Sequence, residues 1–192
     1  MNYQWESIPD IYVGDDTYKR FVLGVTGNNP LICFGVNPST ANNDYADKTL
    51  HMVEQIAKRN GFDSWMMFNI YPYRSTNPKC LPHIRNMELH KENLHYIKSY
   101  LGKIKQTEKT NLTIWAAWGN PIFERDYLIN CLRDIYDITN QYSCRFVAFG
   151  AEKNGKIMST TKQNNPRHPS RLSFSAKSES FDITHYWNNS LY

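Results

Sequence analysis

The sequence is poor in cysteine and has no long run of apolar residues. Its four cysteines form no C-x-x-C pair, so we expect neither disulfides nor a cysteine metal site. The longest apolar stretches, such as 31–36 and 112–118, are far shorter than the roughly 20 residues that cross a bilayer. The first residues also lack the basic start and apolar run of a secretory signal. We therefore expect a cytoplasmic protein that binds no membrane.

The net charge is small but unevenly distributed. The chain has 22 basic and 18 acidic residues, for a formal charge of +4. Residues 145–177 nevertheless carry seven Lys and Arg side chains against one Glu. Such a basic segment suits a polyanion such as nucleic acid. A solvated surface loop without a partner explains the same pattern, so charge alone leaves both interpretations open.

The apolar pattern predicts a single domain over residues 1–192. Hydrophobic residues make up 41% of the 192-residue chain, which is enough to bury one core. Short apolar runs alternate with segments of helical spacing, as is typical of an α/β sandwich with a mainly parallel sheet. The four predicted central strands are 31–36, 65–70, 111–118 and 144–150. The predicted helices are 47–60, a long helix containing Leu94, Ile97 and Leu101, and 122–135.

A further apolar run, 21–25, precedes the first central strand. The two are joined by residues 26–30, which include Gly and Pro and are typical of a turn. We therefore expect 21–25 and 31–36 to form a hairpin.

Short polar motifs follow the predicted central strands. They are G-V-N-P-S at 35–39, N-I-Y at 69–71, W-G-N at 118–120 and H-P-S-R-L-S at 168–173. In open α/β sheets, ligands bind beyond the carboxyl ends of the strands. We therefore expect these four motifs to share one crevice, although each motif taken singly also fits ordinary turn chemistry.

In this order, the four motifs resemble those of the uracil-DNA glycosylase superfamily. Residues 35–39 are similar to the G-I-N-P-G motif of the mismatch-specific and thymine-DNA glycosylases. Residues 168–173 match the H-P-S-P-L-S motif of the uracil-specific enzymes at every position but Arg171. The resemblance covers a motif-bearing core, residues 31–173. It implies a three-layer α/β sandwich around a mainly parallel four-stranded central sheet, and a DNA glycosylase that needs no cofactor and no metal.

A second resemblance is to a bacterial family catalogued only as a domain of unknown function. It rests on residues 37–41, Asp47, Thr49, Asn69, Arg74, 117–119 and 165–169. That family supplies no activity, so the expected chemistry comes from the glycosylase motifs.

The glycosylase resemblance assigns roles to residues of the predicted crevice. Asn37 matches the residue that holds the attacking water, and His168 matches the residue that donates a hydrogen bond to the departing base, on which negative charge builds. Asn69 matches the residue that reads the flipped base with its amide. The other candidates for substrate binding are Gly35, Val36, Pro38, Ser39, and either Tyr45 or Tyr71 as a stacking aromatic.

Two departures from the uracil-specific motif change the expected chemistry. Those enzymes have Asp where this chain has Asn37, so we expect weaker water activation and a flatter pH dependence. They have Tyr where this chain has Ser39, and that ring fills the space beside the C5 position of the pyrimidine. We therefore expect a C5-substituted substrate, such as thymine, a hydroxymethylated base or the glucosylated hydroxymethylcytosine of some phage DNA. No lysine stands at either catalytic position to form a Schiff base, which predicts a monofunctional enzyme.

The last motif and its neighbours are the predicted DNA contacts. Leu172 matches the wedge that enters the gap left by a flipped base. The predicted contacts to the DNA backbone are Lys162, Arg167, Ser170, Arg171 and Ser173. We infer no obligate protein partner.

Two other functions remain open from the sequence. A catalytically silent module would use the same aromatics and basic segment to bind a modified base or single-stranded nucleic acid. A hydrolase of free nucleosides or nucleotides would need neither Leu172 nor the basic segment. For the glycosylase itself, the sequence leaves open a role in repair or in defence against phage.

Overall fold

Four parallel strands form the centre of the sheet. The computed structural model describes residues 2–107 and 111–190. The central strands are β3 (Pro30–Gly35), β4 (Ser64–Asn69), β5 (Leu112–Ala116) and β6 (Cys144–Lys153). They lie in the order β4-β3-β5-β6, and all three neighbouring pairs are parallel. The four predicted central strands are therefore confirmed.

In the described part of the chain the sheet has eight strands, more than the four central strands and the flanking strand at 21–25 that were expected. The additional strands are β1 (Ile11–Gly14), β2 (Arg20–Val25), β7 (Lys156–Met158) and β8 (Lys177–Ser180). They extend the sheet by antiparallel pairing, β1 and β2 beyond β4, and β7 and β8 on β6. All four residues of β8 are exposed and polar, so it lacks the apolar alternation by which strands are recognised in a sequence.

The predicted hairpin between 21–25 and 31–36 is wrong. Strand β2 pairs with β4, and β4 in turn separates β2 from β3. Strand β3 has parallel neighbours on both sides, and all six of its residues are buried. The turn at 26–30 therefore joins two strands that are not neighbours, because pairing with β4 and β5 gives the most apolar strand the central place.

Helices cover both faces of the sheet. They are α1 (Lys48–Arg59), α2 (Met87–Thr107), α3 (Tyr127–Thr139) and α4 (Ile183–Ser190). Side chains alternate along the strands, so Leu31 and Cys33 pack with α1, whereas Ile32 and Phe34 share a core with α2, α3 and α4. Among the described helices, none is long and apolar enough to cross a bilayer.

The helix predicted at 122–135 begins later, at Tyr127. Residues Asn120–Phe123 instead form a short 3-10 turn with Pro at its start. The helices predicted at 47–60 and around Leu94 are confirmed by α1 and α2. Asp47 caps α1, because its Oδ1 accepts a hydrogen bond from the Leu50 backbone N–H at 3.0 Å.

Candidate active site

A cleft of about 460 Å³ opens where β3 and β5 end and α1 begins. Seven of the predicted site residues line it: Gly35, Asn37, Ser39, Arg167, His168, Ser170 and Arg171. The first and last sequence motifs, more than a hundred residues apart, therefore meet in one crevice, whereas no residue of the second motif, 69–71, lines it. Gly119 and Asn120 of the third motif also line it.

Backbone hydrogen bonds join the loops that follow β3 and β4. The N–H groups of Ile70 and Tyr71 donate to the carbonyls of Gly35 and Val36 at 2.8 and 2.9 Å. Further along, the N–H of Ser75 donates to Pro38 at 2.9 Å. The loop carrying Asn37 is thus fixed to its neighbour along its whole length, which positions the side chains that project into the cleft.

The Asn37 side chain is held by both of its N–H bonds. Its Nδ2 donates to the backbone carbonyl of Ser75 at 2.7 Å and to that of Pro38 at 3.0 Å. With the amide nitrogen fixed in this way, Oδ1 keeps its lone pairs for another donor. Asn37 is half-buried and lines the cleft. The arrangement presents a fixed acceptor that can hold a water molecule.

His168 also lines the cleft and is a neutral hydrogen-bond donor. Its Nδ1 accepts from the Ser170 backbone N–H at 3.3 Å and lies 2.9 Å from Ser170 Oγ. An accepting Nδ1 carries no hydrogen, so the neutral ring carries its hydrogen on Nε2. Burial lowers the pKa of His168 to about 4, Asp47 opposes this shift, and the Arg171 cation adds to it. The imidazole is therefore neutral at physiological pH.

Gly119 allows the third and fourth motifs to approach each other. It has φ +62° and ψ −167°, a conformation that glycine adopts readily and other residues do not. A Cβ at this position would lie 3.1 Å from His168 Cβ and 3.5 Å from His168 N. The Gly119 N–H also donates to the Pro166 carbonyl at 3.0 Å. Glycine at the end of β5 thus sets the position of His168.

A buried hydrogen-bond network ties α4 to the loop before His168. Tyr186 on α4 donates its hydroxyl to Asn165 Oδ1 at 2.7 Å and accepts from Trp118 Nε1 at 3.3 Å. Asn165 Nδ2 donates in turn to Asn120 Oδ1 at 3.1 Å. Asn165 is fully buried. The C-terminal helix therefore supports the cleft.

Two buried charged residues at the cleft were given no role from the sequence: Arg20 was not singled out, and Asp47 was named only in the second family resemblance. Arg20, at the start of β2, is 0% exposed, and Asp47 is 8% exposed, yet both line the cleft. Arg20 donates from Nη1 to the Ala41 carbonyl at 2.9 Å. Burial lowers the pKa of Arg20 to about 10, whereas Asp47 raises it. The signal available in the sequence was a charged residue at the head of an apolar strand, because a buried charge normally needs a partner or a ligand.

Asn69 and Met67, two residues apart on β4, both lie next to Gly35. Asn69 is fully buried, does not line the cleft, and has no hydrogen-bond partner for either side-chain atom among the described residues. A Cβ on Gly35 would lie 2.6 Å from Met67 Cε and 3.5 Å from Asn69 Oδ1. The Asn69 amide is therefore adjacent to the cleft lining without reaching the cleft.

The remaining substrate-binding candidates lie away from the cleft surface. Val36 and Pro38 are buried, and Tyr45 is half-buried outside the cleft lining. Tyr71 is fully buried in the core on the face of α2 and α3, where its hydroxyl accepts from the Asn86 N–H at 2.9 Å. The geometry thus offers no stacking aromatic at the cleft from either of the two predicted tyrosines.

The predicted DNA contacts are divided between the cleft rim and its surroundings. Arg171 is exposed at the rim and Arg167 is half-buried there, with its Nε donating to the Met158 carbonyl at 2.8 Å. Lys162 and Ser173 are exposed but do not line the cleft. Leu172 is partly buried against the core on the α1 face of the sheet. Its role as a wedge stays a prediction, and it requires the side chain to move out of this contact.

The cleft is positively charged. Its charged lining consists of three arginines, Arg20, Arg167 and Arg171, and one carboxylate, Asp47. Among the described residues, no group of three or more His, Cys, Asp and Glu side chains is arranged to hold a metal ion. The chemistry that these residues offer is hydrogen bonding from fixed donors and acceptors next to cationic groups that can contact phosphate.

Comparison with known proteins gives one family. The family model described as "Protein of unknown function (DUF1643)" matches residues 20–170, in agreement with the second resemblance seen in the sequence. No curated protein and no solved structure matches. The matched region begins at Arg20 and ends at Ser170, so it contains every residue of the cleft lining except Arg171.

Proposed function

We propose that this chain, which belongs to the DUF1643 family, is a monofunctional DNA glycosylase. It flips a C5-substituted pyrimidine out of DNA and hydrolyses the N-glycosidic bond, leaving an abasic site. The observation that carries the proposal is the meeting, in one cleft, of a fixed acceptor at Asn37 and a neutral donor at His168. These are the two groups that such a hydrolysis needs.

Asn37 holds the attacking water. Its two N–H bonds are occupied by backbone carbonyls, so Oδ1 accepts a hydrogen from water and aims the water's oxygen at the sugar carbon. An amide is not basic enough to remove a proton from water in the ground state. It suffices here because the bond to the base loosens first, and an oxocarbenium-like sugar needs only a positioned nucleophile.

His168 stabilises the leaving base. Negative charge develops on a base oxygen as the bond breaks, and the Nε2–H of a neutral imidazole donates to that oxygen. The imidazole stays neutral because burial holds the pKa of His168 at about 4. Its orientation is fixed by Ser170, which occupies Nδ1, so little reorganisation is needed during the reaction.

The cleft has room for a substituent at C5. Ser39 lines it where a tyrosine would fill this space, and the Ser39 carbonyl is held by Arg74 Nη1 at 2.5 Å. A volume of about 460 Å³ lies within the range of small-molecule pockets. A hydroxymethylated pyrimidine, or the glucosylated hydroxymethylcytosine of phage DNA, is the substrate class that this opening favours.

The DNA backbone crosses the arginine side of the cleft. Arg171 and Arg167 bind phosphates, Ser170 and Ser173 add hydrogen bonds, and Lys162 lies farther along the same polar segment. The four parallel strands with helices on both faces are compatible with the three-layer sandwich of the uracil-DNA glycosylase superfamily, and we include membership of that superfamily in the proposal.

The test is strand cleavage at abasic sites. Duplexes containing uracil, a thymine mismatch or hydroxymethylated pyrimidines, together with glucosylated phage DNA, are incubated with the protein and heated in alkali. We expect breaks with a C5-substituted pyrimidine, and their loss in Asn37→Ala. The matched control is Asn130→Ala, an exposed asparagine on α3 outside the cleft, which retains activity.

Two results would overturn the glycosylase. DNA that is shifted on a gel but never cleaved would make the protein a binding module for modified bases. Release of bases from free nucleosides, undiminished in an Arg171→Gln variant and with DNA untouched, would make it a nucleoside hydrolase. Cleavage of plain uracil alone would remove the C5-substituted substrate while keeping the reaction.

A further inference from the structure

The floor of the cleft contains a buried donor and a buried acceptor that the protein leaves unused. Arg20 Nε has no hydrogen-bond partner among the described residues, although the side chain is 0% exposed. Asp47 uses Oδ1 to cap α1, whereas its Oδ2 is buried and likewise has no partner among those residues. Buried polar groups without partners are rare in folded proteins because each one costs free energy. Two of them lining one cleft indicate a ligand that satisfies both.

Arg20 and Asp47 do not satisfy each other. The ion pairs within 4.0 Å among the described residues do not include this pair. The carboxylate is nevertheless close enough to raise the pKa of Arg20 against the effect of burial. The cleft lining therefore contains an unused acceptor and an unused donor, on residues with charges of opposite sign. A simple anion would be attracted by Arg20 and repelled by Asp47.

The depth of each residue indicates which part of a nucleotide it meets. A flipped nucleotide enters a pocket base first, with its sugar and phosphates nearer the mouth. Arg20 and Asp47 are buried, Asn37 is half-buried, and Arg171 is exposed at the rim. The floor pair is thus placed to meet the base, while Asn37 is placed to meet the sugar.

We propose that Arg20 and Asp47 select a cytosine-type base, one with an exocyclic amine beside an unprotonated ring nitrogen, over a uracil-type base. This inference rests on the proposed glycosylase function. Asp47 Oδ2 accepts a hydrogen bond from the amine, and Arg20 donates to the ring nitrogen. A uracil-type base presents a carbonyl and a ring N–H at the same two positions. Both groups would then be mismatched, since the carbonyl would face the carboxylate and the ring N–H would face the guanidinium.

The test compares two bases that differ only in these two groups: an amine and an unprotonated ring nitrogen in one, a carbonyl and a ring N–H in the other. Oligonucleotide duplexes carry 5-hydroxymethylcytosine or 5-hydroxymethyluracil opposite a tetrahydrofuran spacer, so that base pairing contributes to neither. Cleavage rates are measured with the wild-type protein, and affinities with the Asn37→Ala protein, which binds without turnover. We expect a preference for hydroxymethylcytosine of about tenfold or more in both measurements. Equal rates and affinities for the two bases would overturn the selection.

An Asp47→Asn variant tests the same contact from the protein side. Asparagine still caps α1 through Oδ1, because Asn and Asp are comparable capping residues. It replaces the Oδ2 acceptor with an N–H donor, which matches the carbonyl of a uracil-type base. The preference for hydroxymethylcytosine is therefore expected to disappear or reverse, while thermal unfolding changes little. The control is Asp44→Asn, which alters an exposed aspartate outside the cleft.

The possible failures are distinguishable. If Asp47→Asn slows both bases equally and leaves their ratio unchanged, Asp47 acts on the water or the fold, and the selection is overturned while the glycosylase stands. If the protein neither binds nor cleaves any modified duplex, the proposed function itself is overturned, and the selection with it.

Discussion

His168 Nδ1 and the backbone N–H of Ser170, two residues later in the same turn, are joined by a hydrogen bond of 3.3 Å. This contact fixes the tautomer of a histidine that faces the cleft. It has a local cause, because Pro169 begins a 3-10 turn for which the His168 side chain is the N-terminal cap. The H-P-S sequence thus encodes both a turn and a neutral donor.

The pH dependence of His168 follows from this environment. Burial lowers the pKa to about 4 from the usual 6.5, so Nδ1 gains a hydrogen, and stops accepting from the Ser170 N–H, only when the pH falls to about 4. The Nε2–H donor is present in both forms of the ring. We expect no loss of activity from His168 protonation as the pH falls through about 6.5. Nitrogen-detected NMR should show an unprotonated Nδ1 and a titration midpoint near the lower value. The resonance should be missing in His168→Gln, and a midpoint near the usual value would contradict the assignment.

The same shift predicts an acid-dependent loss of stability. The folded-state pKa lies below that of the unfolded histidine, so the unfolded chain binds a proton first as the pH falls. The contribution of His168 to the free energy of unfolding is fully present above about 6.5 and decreases toward about 4. Urea unfolding across this window should show a shallower decrease for His168→Gln than for the wild type. Parallel curves would show that His168 is not desolvated.

Asn37→Asp should reduce activity, even though aspartate occupies this position in uracil-specific glycosylases. The Asn37 amide donates to the carbonyls of Pro38 and Ser75. A carboxylate would face these two oxygens without a hydrogen and would turn away from them. We expect a loss of stability of about 1–3 kcal/mol and slower base release. Faster release in Asn37→Asp would show that the loop can adapt and that basicity limits the reaction.

The central strands, and the meeting of three of the four motifs, could be predicted because their causes are local. Apolar runs such as 65–70 bury themselves, and turn residues such as Pro38 and Gly119 end strands at one edge of the sheet. The place of β2 could not be predicted, because it depends on which strand edge remains free after β3 and β4 have paired. Arg20 was missed for a similar reason, since only the folded chain places the head of β2 at the cleft.

Gly119→Ala should displace His168. The substitution puts a side chain at φ +62° and ψ −167°, with its Cβ 3.1 Å from His168 Cβ. We expect a stability loss of about 1–3 kcal/mol together with a large loss of base release. The matched control is Gly155→Ala, which has φ +72° but no atom within 4 Å of the new Cβ. It also has a positive φ but no neighbour for the new Cβ to meet, so equal activity losses in both variants would argue against positioning of His168.

Arg171→Gln should weaken DNA binding in a salt-dependent way. Each phosphate contact contributes about −0.9 to the slope of log affinity plotted against log salt concentration. Removing the exposed cation at the rim should remove one such contact, so the slope should become less negative by about 0.9. Thermal stability should change little. Lys156→Gln, an exposed lysine on β7 outside the cleft, is the control and should leave the slope unchanged. The same slope for both variants would mean that DNA does not cross this rim.

Tyr186→Phe should weaken the cleft from a distance. The hydroxyl donates to Asn165 Oδ1 at 2.7 Å and accepts from Trp118 Nε1 at 3.3 Å. Removing it leaves a buried acceptor and a buried donor unsatisfied, which costs about 1–3 kcal/mol. The loop from Asn165 to His168 should then loosen, so amide exchange there should rise and base release should fall. Tyr142→Phe, which removes a single 3.3 Å bond to the Lys98 carbonyl, should change neither. If Tyr186→Phe lowers stability but leaves exchange and base release unchanged, α4 supports the core and not the site.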